Sequence, residues 1–278
     1  MWLRSIYLKA LRDQRWQVIG FGLALGLMAS LVVFLWPSYK DDLALIELPP
    51  AIQALIGNDL SIGTAAGFIN AQFFTWTPAL LIVYAITQGT GAIAGEETAG
   101  TLDMLLAQPV RRRSMVLAKC AAAATGGVII VLMAYAGFAL SIPWVEIDLS
   151  QTDVLSACVN ALPLTMFFFA LSLWLGAVAP SRSHATGVAV GVAVVSYFTY
   201  SLAAGIDQIS GARYASAFYY FGRGLPLVEG INWAHFTLLL GLAATFVALA
   251  IRTFERRDIA PGGATEMTWD DLLRRVAG

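Results

Sequence analysis

Charged side chains that could do chemistry are concentrated in one segment, residues 95–119. Two carboxylates, Glu96 and Glu97, lie near its start, and three consecutive arginines, 111–113, lie near its end. Long apolar stretches flank it on both sides. A charged segment of this size cannot lie in hydrocarbon, so it must form a loop at one face of a membrane. The chemistry open to it is ion pairing, and its pattern favours docking of a partner inside the cell.

The middle of this segment predicts a short amphipathic helix. Thr101 can cap its first turn, and Pro109 ends it. Leu102, Leu105 and Leu106 share one face, which can insert into a groove of a soluble partner. The alternative is an interfacial helix whose neighbouring arginines only fix topology and which binds no partner.

The rest of the chain has no motif for catalysis or nucleotide binding. It lacks GxxxxGK[ST], HExxH and GxSxG. Its two cysteines are predicted too far apart for a disulfide, and its two histidines fall at opposite membrane faces. We therefore expect no catalytic residue, no metal site and no cofactor in this chain, which is not an enzyme by itself.

The composition indicates an all-α integral membrane protein. Of 278 residues, 58% are hydrophobic and 13% are charged, with a mean hydropathy of +0.71. Soluble domains carry about 25% charged residues. The net charge of −1 gives no reason to expect a nucleic-acid partner. Six stretches are long enough to cross about 30 Å of hydrocarbon, approximately residues 17–36, 73–94, 120–142, 154–179, 185–205 and 233–251.

The positive charges predict the orientation of these spans. Of the 17 Lys and Arg residues, 14 fall on one side of the membrane, which places both termini in the cytoplasm. The sequence divides into an interfacial helix at 1–16, a six-helix transmembrane domain at 17–252 and a cytoplasmic tail at 253–278. Residues 2–15 can separate apolar and basic side chains onto opposite faces, as a helix on the inner leaflet does. A simple basic flank is the alternative.

An unusual segment, residues 206–232, precedes the last span. It is too interrupted by glycine and proline to span and too apolar to be a free loop. An outer re-entrant segment fits it, with Tyr219, Tyr220, Gly224 and Pro226 as its candidate residues. The alternative is an aromatic belt on an ordinary loop.

The polar residues in the middle of the predicted spans are uncharged. The middles of all six spans lack Asp, Glu, Lys and Arg, which argues against a secondary transporter and favours a permease with an external energy source. Such residues either line a substrate path or make hydrogen bonds between helices. The candidate pathway-lining residues are Tyr84, Gln88, Asn160, Tyr197 and Tyr200.

Three pairs of glycines are spaced for close helix contact, within one subunit or between two. They are Gly22 with Gly26, Gly91 with Gly95, and Gly187 with Gly191.

The run GEETAGTLDMLLAQPVRRR at 95–113 resembles the first cytoplasmic loop of ABC-2-type permeases, the membrane subunits of ATP-binding-cassette exporters. FYYFGRGLPL at 218–227 and FERRDI at 254–259 resemble the same family. The resemblance implies a type V exporter transmembrane subunit in the bacterial or archaeal cytoplasmic (inner) membrane. Two such permease subunits, as a homodimer or a related heterodimer, would form one pathway. Two separate ATPase subunits would dock beneath them and hold ATP and Mg.

The resemblance also implies roles for particular residues. Residues 1–16 would be the connecting helix, and the segment before the last span would be the outer re-entrant element. The ATPase-coupling helix would contain Glu96, Glu97, Gly100, Thr101, Leu102, Leu105 and Leu106. The function expected is ATP-driven translocation, with export favoured. The alternative hypotheses are a membrane anchor for a soluble partner and, less favoured, a secondary transporter.

Overall fold

The computed structural model describes residues 2–43, 63–98, 111–205, 207–222 and 225–256. Within these ranges the chain is helical and contains no strand. Six helices are long and apolar enough to cross a membrane. The predicted all-α class and the six spans are therefore confirmed. The cytoplasmic position of the termini stays a prediction.

The six helices are longer than the apolar stretches that predict them. We number them α1 to α6, and α2 contains short irregular turns. Their bounds are Trp2–Leu43 (α1), Ala65–Gly95 (α2), Arg112–Ser141 (α3), Gln151–Val178 (α4), Arg182–Gly205 (α5) and Trp233–Arg256 (α6). Shorter helical pieces connect them at Glu96–Thr98, Ile142–Trp144, Asp207–Ala215, Ala217–Gly222 and Leu225–Glu229.

Helix α1 contains both the predicted interfacial helix and the first predicted span. It runs through 42 residues without a break, so residues 2–16 continue directly into the first span. At a rise of about 1.5 Å per residue the helix is about 63 Å long, roughly twice the hydrocarbon thickness. Its first turns contact α3, because the Tyr7 hydroxyl lies 3.0 Å from Thr125 Oγ1. The interfacial location of residues 1–16 stays a prediction.

Helices α1 and α3 form the closest helix pair, through glycine. A Cβ atom added to Gly137 would lie 2.1 Å from the carbonyl oxygen of Gly26. Gly26 also faces the Met133 carbonyl, and Gly22 faces the Met133 side chain. Ser30 Oγ donates a hydrogen bond to the Gly137 carbonyl at 3.0 Å. The first predicted glycine pair thus makes its close contact inside one subunit.

Helix α4 lies at the centre of the bundle and contacts α2, α3, α5 and α6. Two apolar clusters form the core. One includes Phe168 and Phe254, and the other includes Phe73 and Phe138. Helices α5 and α6 are the least covered spans, with only 17% of the apolar window of each buried. Much of their surface is therefore available to lipid or to another subunit.

The glycine contact between α1 and α3 gives a test of this packing. We expect Gly137→Ala to destabilise the chain by about 1–3 kcal/mol, because the added methyl group collides with the α1 backbone. Thermal unfolding of the detergent-solubilised chain measures the effect. Gly20→Ala is the matched control, since a Cβ at Gly20 has no neighbour within 4 Å. Equal melting temperatures for the two variants would contradict the described α1–α3 contact.

Candidate functional site

A polar cavity of about 330 Å³ lies where α2 ends and α3 begins. Its walls come from α1, α2 and α3, with smaller contributions from α4 and α5. Eight lining side chains are charged or carry an amide: Lys9, Asp13, Gln14, Gln17, Gln88, Glu96, Lys119 and Arg182. We call this part of the molecule the charged end of the bundle.

Glu96 is the central acid of this cavity. Lys119 Nζ donates to Glu96 Oε1 at 2.9 Å and to the Ala92 carbonyl at 2.6 Å. Lys9 Nζ lies 3.8 Å from the same carboxylate oxygen. The Lys119 and Glu96 side chains are only 11% and 16% exposed, whereas Lys9 is 49% exposed. The Lys119 ammonium is thus removed from water but is compensated by a carboxylate and a carbonyl.

Helix geometry explains how one lysine reaches both groups. Ala92 and Glu96 are four residues apart at the end of α2, so they lie one above the other on the same side. A π-helical turn, Gly91–Gly95, spans most of this interval. Arg182 of α5 lies against that turn, because its guanidinium is 3.5 Å from where a Cβ of Gly91 would be. The second predicted glycine pair, Gly91 and Gly95, therefore faces an arginine side chain and not another helix.

A buried polar network adjoins the cavity and connects α1, α2 and α3. Gln14 Nε2 donates to the Ala122 carbonyl at 2.6 Å. The Tyr84 hydroxyl lies 3.1 Å from Gln14 Oε1 and 2.9 Å from the Ala123 carbonyl, within donating distance of both. Tyr84 is fully buried. The structure thus places this predicted pathway residue in hydrogen bonds between helices, the alternative that the sequence left open.

Gln88 lies in the cavity wall. Its Nε2 donates to Oε1 of Gln17, so the two amides join α1 to α2 across the cavity. Among the five predicted pathway residues, Gln88 is the one that lines the polar cavity at the charged end.

A second, smaller pocket of about 60 Å³ lies toward the opposite end of the bundle. Its lining brings together two predicted pathway residues, Tyr197 and Tyr200, and one predicted re-entrant residue, Pro226. Phe74 and Phe218 add apolar walls. The pocket therefore joins α2 and α5 to the short helices that precede α6.

The segment before α6 consists of short helices packed on the spans. It contains a 3₁₀ helix, Asp207–Ala215, an α-helix, Ala217–Gly222, and a π-helical turn, Leu225–Glu229. Asn160 of α4 holds it, because Asn160 Nδ2 donates to the Phe221 carbonyl at 3.0 Å. Asn160, like Tyr84, thus makes a bond between elements.

Aromatic contacts hold the same segment. The rings of Tyr219 and Tyr220 lie 5.7 and 5.2 Å from the His235 ring of α6. Arg213 lies over the Tyr214 and Tyr219 rings. How deeply this segment enters a membrane stays a prediction, and Gly224 lies outside the described residues.

The coupling residues are only partly described. Glu96 and Glu97 lie in the helical turn Glu96–Thr98, which extends α2. The other candidates, Gly100, Thr101, Leu102, Leu105 and Leu106, lie outside the described residues. The coupling helix therefore stays a prediction.

Sequence reasoning missed the members of the cavity that come from other helices. It treated Lys9, Lys119 and Arg182 only as markers of topology. A usable signal was present: Lys119 lies seven residues inside α3, and Gln88 interrupts an apolar run at the same end.

A family model described as ABC-2 family transporter protein matches residues 7–259, a range that includes nearly all of the six helices. No curated protein matches the chain.

The buried network gives a second test. We expect Tyr84→Phe to destabilise the chain by about 1–3 kcal/mol, because Gln14 loses its buried donor. The melting temperature in detergent measures this change. Tyr197→Phe is the matched control, since the Tyr197 ring is 39% exposed and its hydroxyl makes no hydrogen bond among the described residues. An unchanged melting temperature for Tyr84→Phe would contradict the claim that the hydroxyl stabilises the packing of α1, α2 and α3.

Proposed function

Because the chain belongs to the ABC-2 transporter family, whose members are membrane transport subunits, we propose that it is the permease of an ATP-driven exporter. Permeases of this family generally work with ATP-binding subunits. The chain is a multi-pass membrane protein and is not itself the ATPase. In our proposal two separate ATPase subunits bind ATP and Mg and drive two permease subunits.

The structural observation that best supports this proposal is the geometry at the junction of α2 and α3. Helix α2 continues past its apolar residues into the turn Glu96–Thr98, and α3 begins at Arg112. The predicted coupling helix thus connects two spans whose ends are joined by the Glu96–Lys119 ion pair. A displacement of that helix would act on both spans. The arginines beside it favour a cytoplasmic location, where ATP is present.

The two cavities support a pathway between the ends of the bundle. The cavity at the charged end is large and polar, and the opposite pocket is small, with five aromatic side chains among its thirteen lining residues. In our proposal this difference corresponds to a state that is open toward the cytoplasm. Gln88 would contact substrate early, and Tyr197 and Tyr200 would contact it late. ATP binding would then favour the opposite state.

A second permease subunit is proposed to cover part of the exposed surface of α5. Cβ atoms added at Gly187 and Gly191 would have no neighbour within 4 Å in this chain. This third predicted glycine pair is thus free to admit a helix of another subunit.

The coupling assignment is tested by Leu102→Asp and Leu105→Asp. We expect each to reduce retention of the co-purifying ATPase by about tenfold or more, because a charge replaces an apolar anchor in the interface. The measurement is the ATPase-to-permease ratio after purification, together with ATP hydrolysis in nanodiscs.

Ile209→Asp is the matched control. Ile209 is 42% exposed and lies in the segment after α5, away from the charged end. Normal retention in both leucine variants would contradict the coupling assignment. A wild-type chain that never retains an ATPase would instead support the anchor alternative.

A further inference from the structure

Glu96 is the first residue after the π-helical turn of α2 and begins the proposed coupling segment. Its carboxylate is directed toward Lys119 of α3, 2.9 Å away. We propose that Glu96 is a positioning residue: its ion pair with Lys119 fixes the start of the coupling segment to α3, so that the segment moves the spans as one body. This inference rests on the proposed function. It assigns Glu96 an internal role in place of the contact with the ATPase that the sequence predicted.

The packing shows what such a link adds. Helix α2 packs mainly against α4, where Gly89 lies against the Phe169 carbonyl, and it makes few direct contacts with α3. Helix α3 in turn is closely packed against α1. The Glu96–Lys119 pair thus adds a direct link between α2 and α3 at the charged end, beyond the bond of the Tyr84 hydroxyl to the Ala123 carbonyl. It does so beside a π-helical turn, where the regular hydrogen-bond pattern of α2 changes.

Lys119 is much more enclosed than Lys9, the other lysine beside Glu96. When one member of an enclosed ion pair is removed, the other is left as an uncompensated charge, so such a pair resists separation. Lys9 is 3.8 Å from Glu96 and half exposed, and exposed pairs of this kind contribute little. Lys9 is therefore a natural control: it has the same chemistry and the same partner, but not the same enclosure.

The first measurement uses the full-length permease alone in detergent. We expect Glu96→Gln and Lys119→Gln each to lower the melting temperature. The charge swap E96K/K119E should recover part of that loss, since the ion pair re-forms and the exposed Lys9 can turn away, whereas a carboxylate at position 119 cannot donate to the Ala92 carbonyl. Lys9→Gln should have little effect. The double variant E96Q/K119Q closes the cycle with the two single variants, and additive losses in it would overturn the ion pair itself.

The second measurement follows coupling in the complex with the co-purifying ATPase in nanodiscs. Spin labels at Leu8→Cys on α1 and Ser183→Cys on α5, with Cys120 and Cys158 replaced by alanine, report the distance change caused by ATP and vanadate. We expect Glu96→Gln and Lys119→Gln to retain the ATPase within about twofold of the parent. The responding fraction should fall about tenfold, within the range of allosteric coupling, and E96K/K119E should restore it.

The outcomes separate the inference from the function on which it rests. A parent complex without any nucleotide-dependent distance change would contradict the proposed function. A responsive parent with an equally responsive Glu96→Gln variant would overturn the positioning role, even if the melting temperature falls. Loss of ATPase retention in Glu96→Gln but not in Lys119→Gln would return Glu96 to the docking surface and also overturn the inference.

Discussion

A peptide group in hydrocarbon has no water to bond, so each one must be satisfied within its own helix. This constraint determines the chain's architecture. It explains why each of the six spans is helical, and it leaves side chains and glycine contacts as the means of holding the helices together. Where backbones approach closely, as at Gly26 and Gly137, even a methyl group is excluded. Where polar side chains enter, as at Gln14 and Tyr84, they bond to a neighbouring helix.

The same constraint separates the two ends of the bundle by chemistry. Charged and amide side chains collect where α2 ends, and they enclose a cavity of about 330 Å³. Toward the opposite end, short helices and aromatic side chains surround a pocket of about 60 Å³. The broken backbone of that segment is supported by protein groups, including Ser196 and Asn160. An uneven pair of cavities is what an alternating-access permease in one of its states would contain.

The sequence was sufficient for properties that depend on local composition. Long apolar windows predict the spans. The sequence could not distinguish residues of one type whose surroundings differ. Tyr84 and Tyr197 both interrupt apolar helices, yet one is fully buried and hydrogen-bonded while the other lines a pocket. The three glycine pairs have equal spacing, but their surroundings are a helix, an arginine and open space. Such differences depend on which helices pack together, which spacing along one chain does not record.

The basic residues near the loop between α2 and α3 mark the topology of the chain and also join its helices. Lys119 is too enclosed to serve only as a contact for lipid headgroups, and it joins α3 to Glu96. Arg112 donates to the Phe254 carbonyl at 2.8 Å and lies over the Phe254 ring, which joins α3 to α6. With the hydrogen bond from Gln14 of α1 to the Ala122 carbonyl, helix α3 is thus held on three sides at the charged end. A force applied between α2 and α3 would be transmitted to most of the bundle.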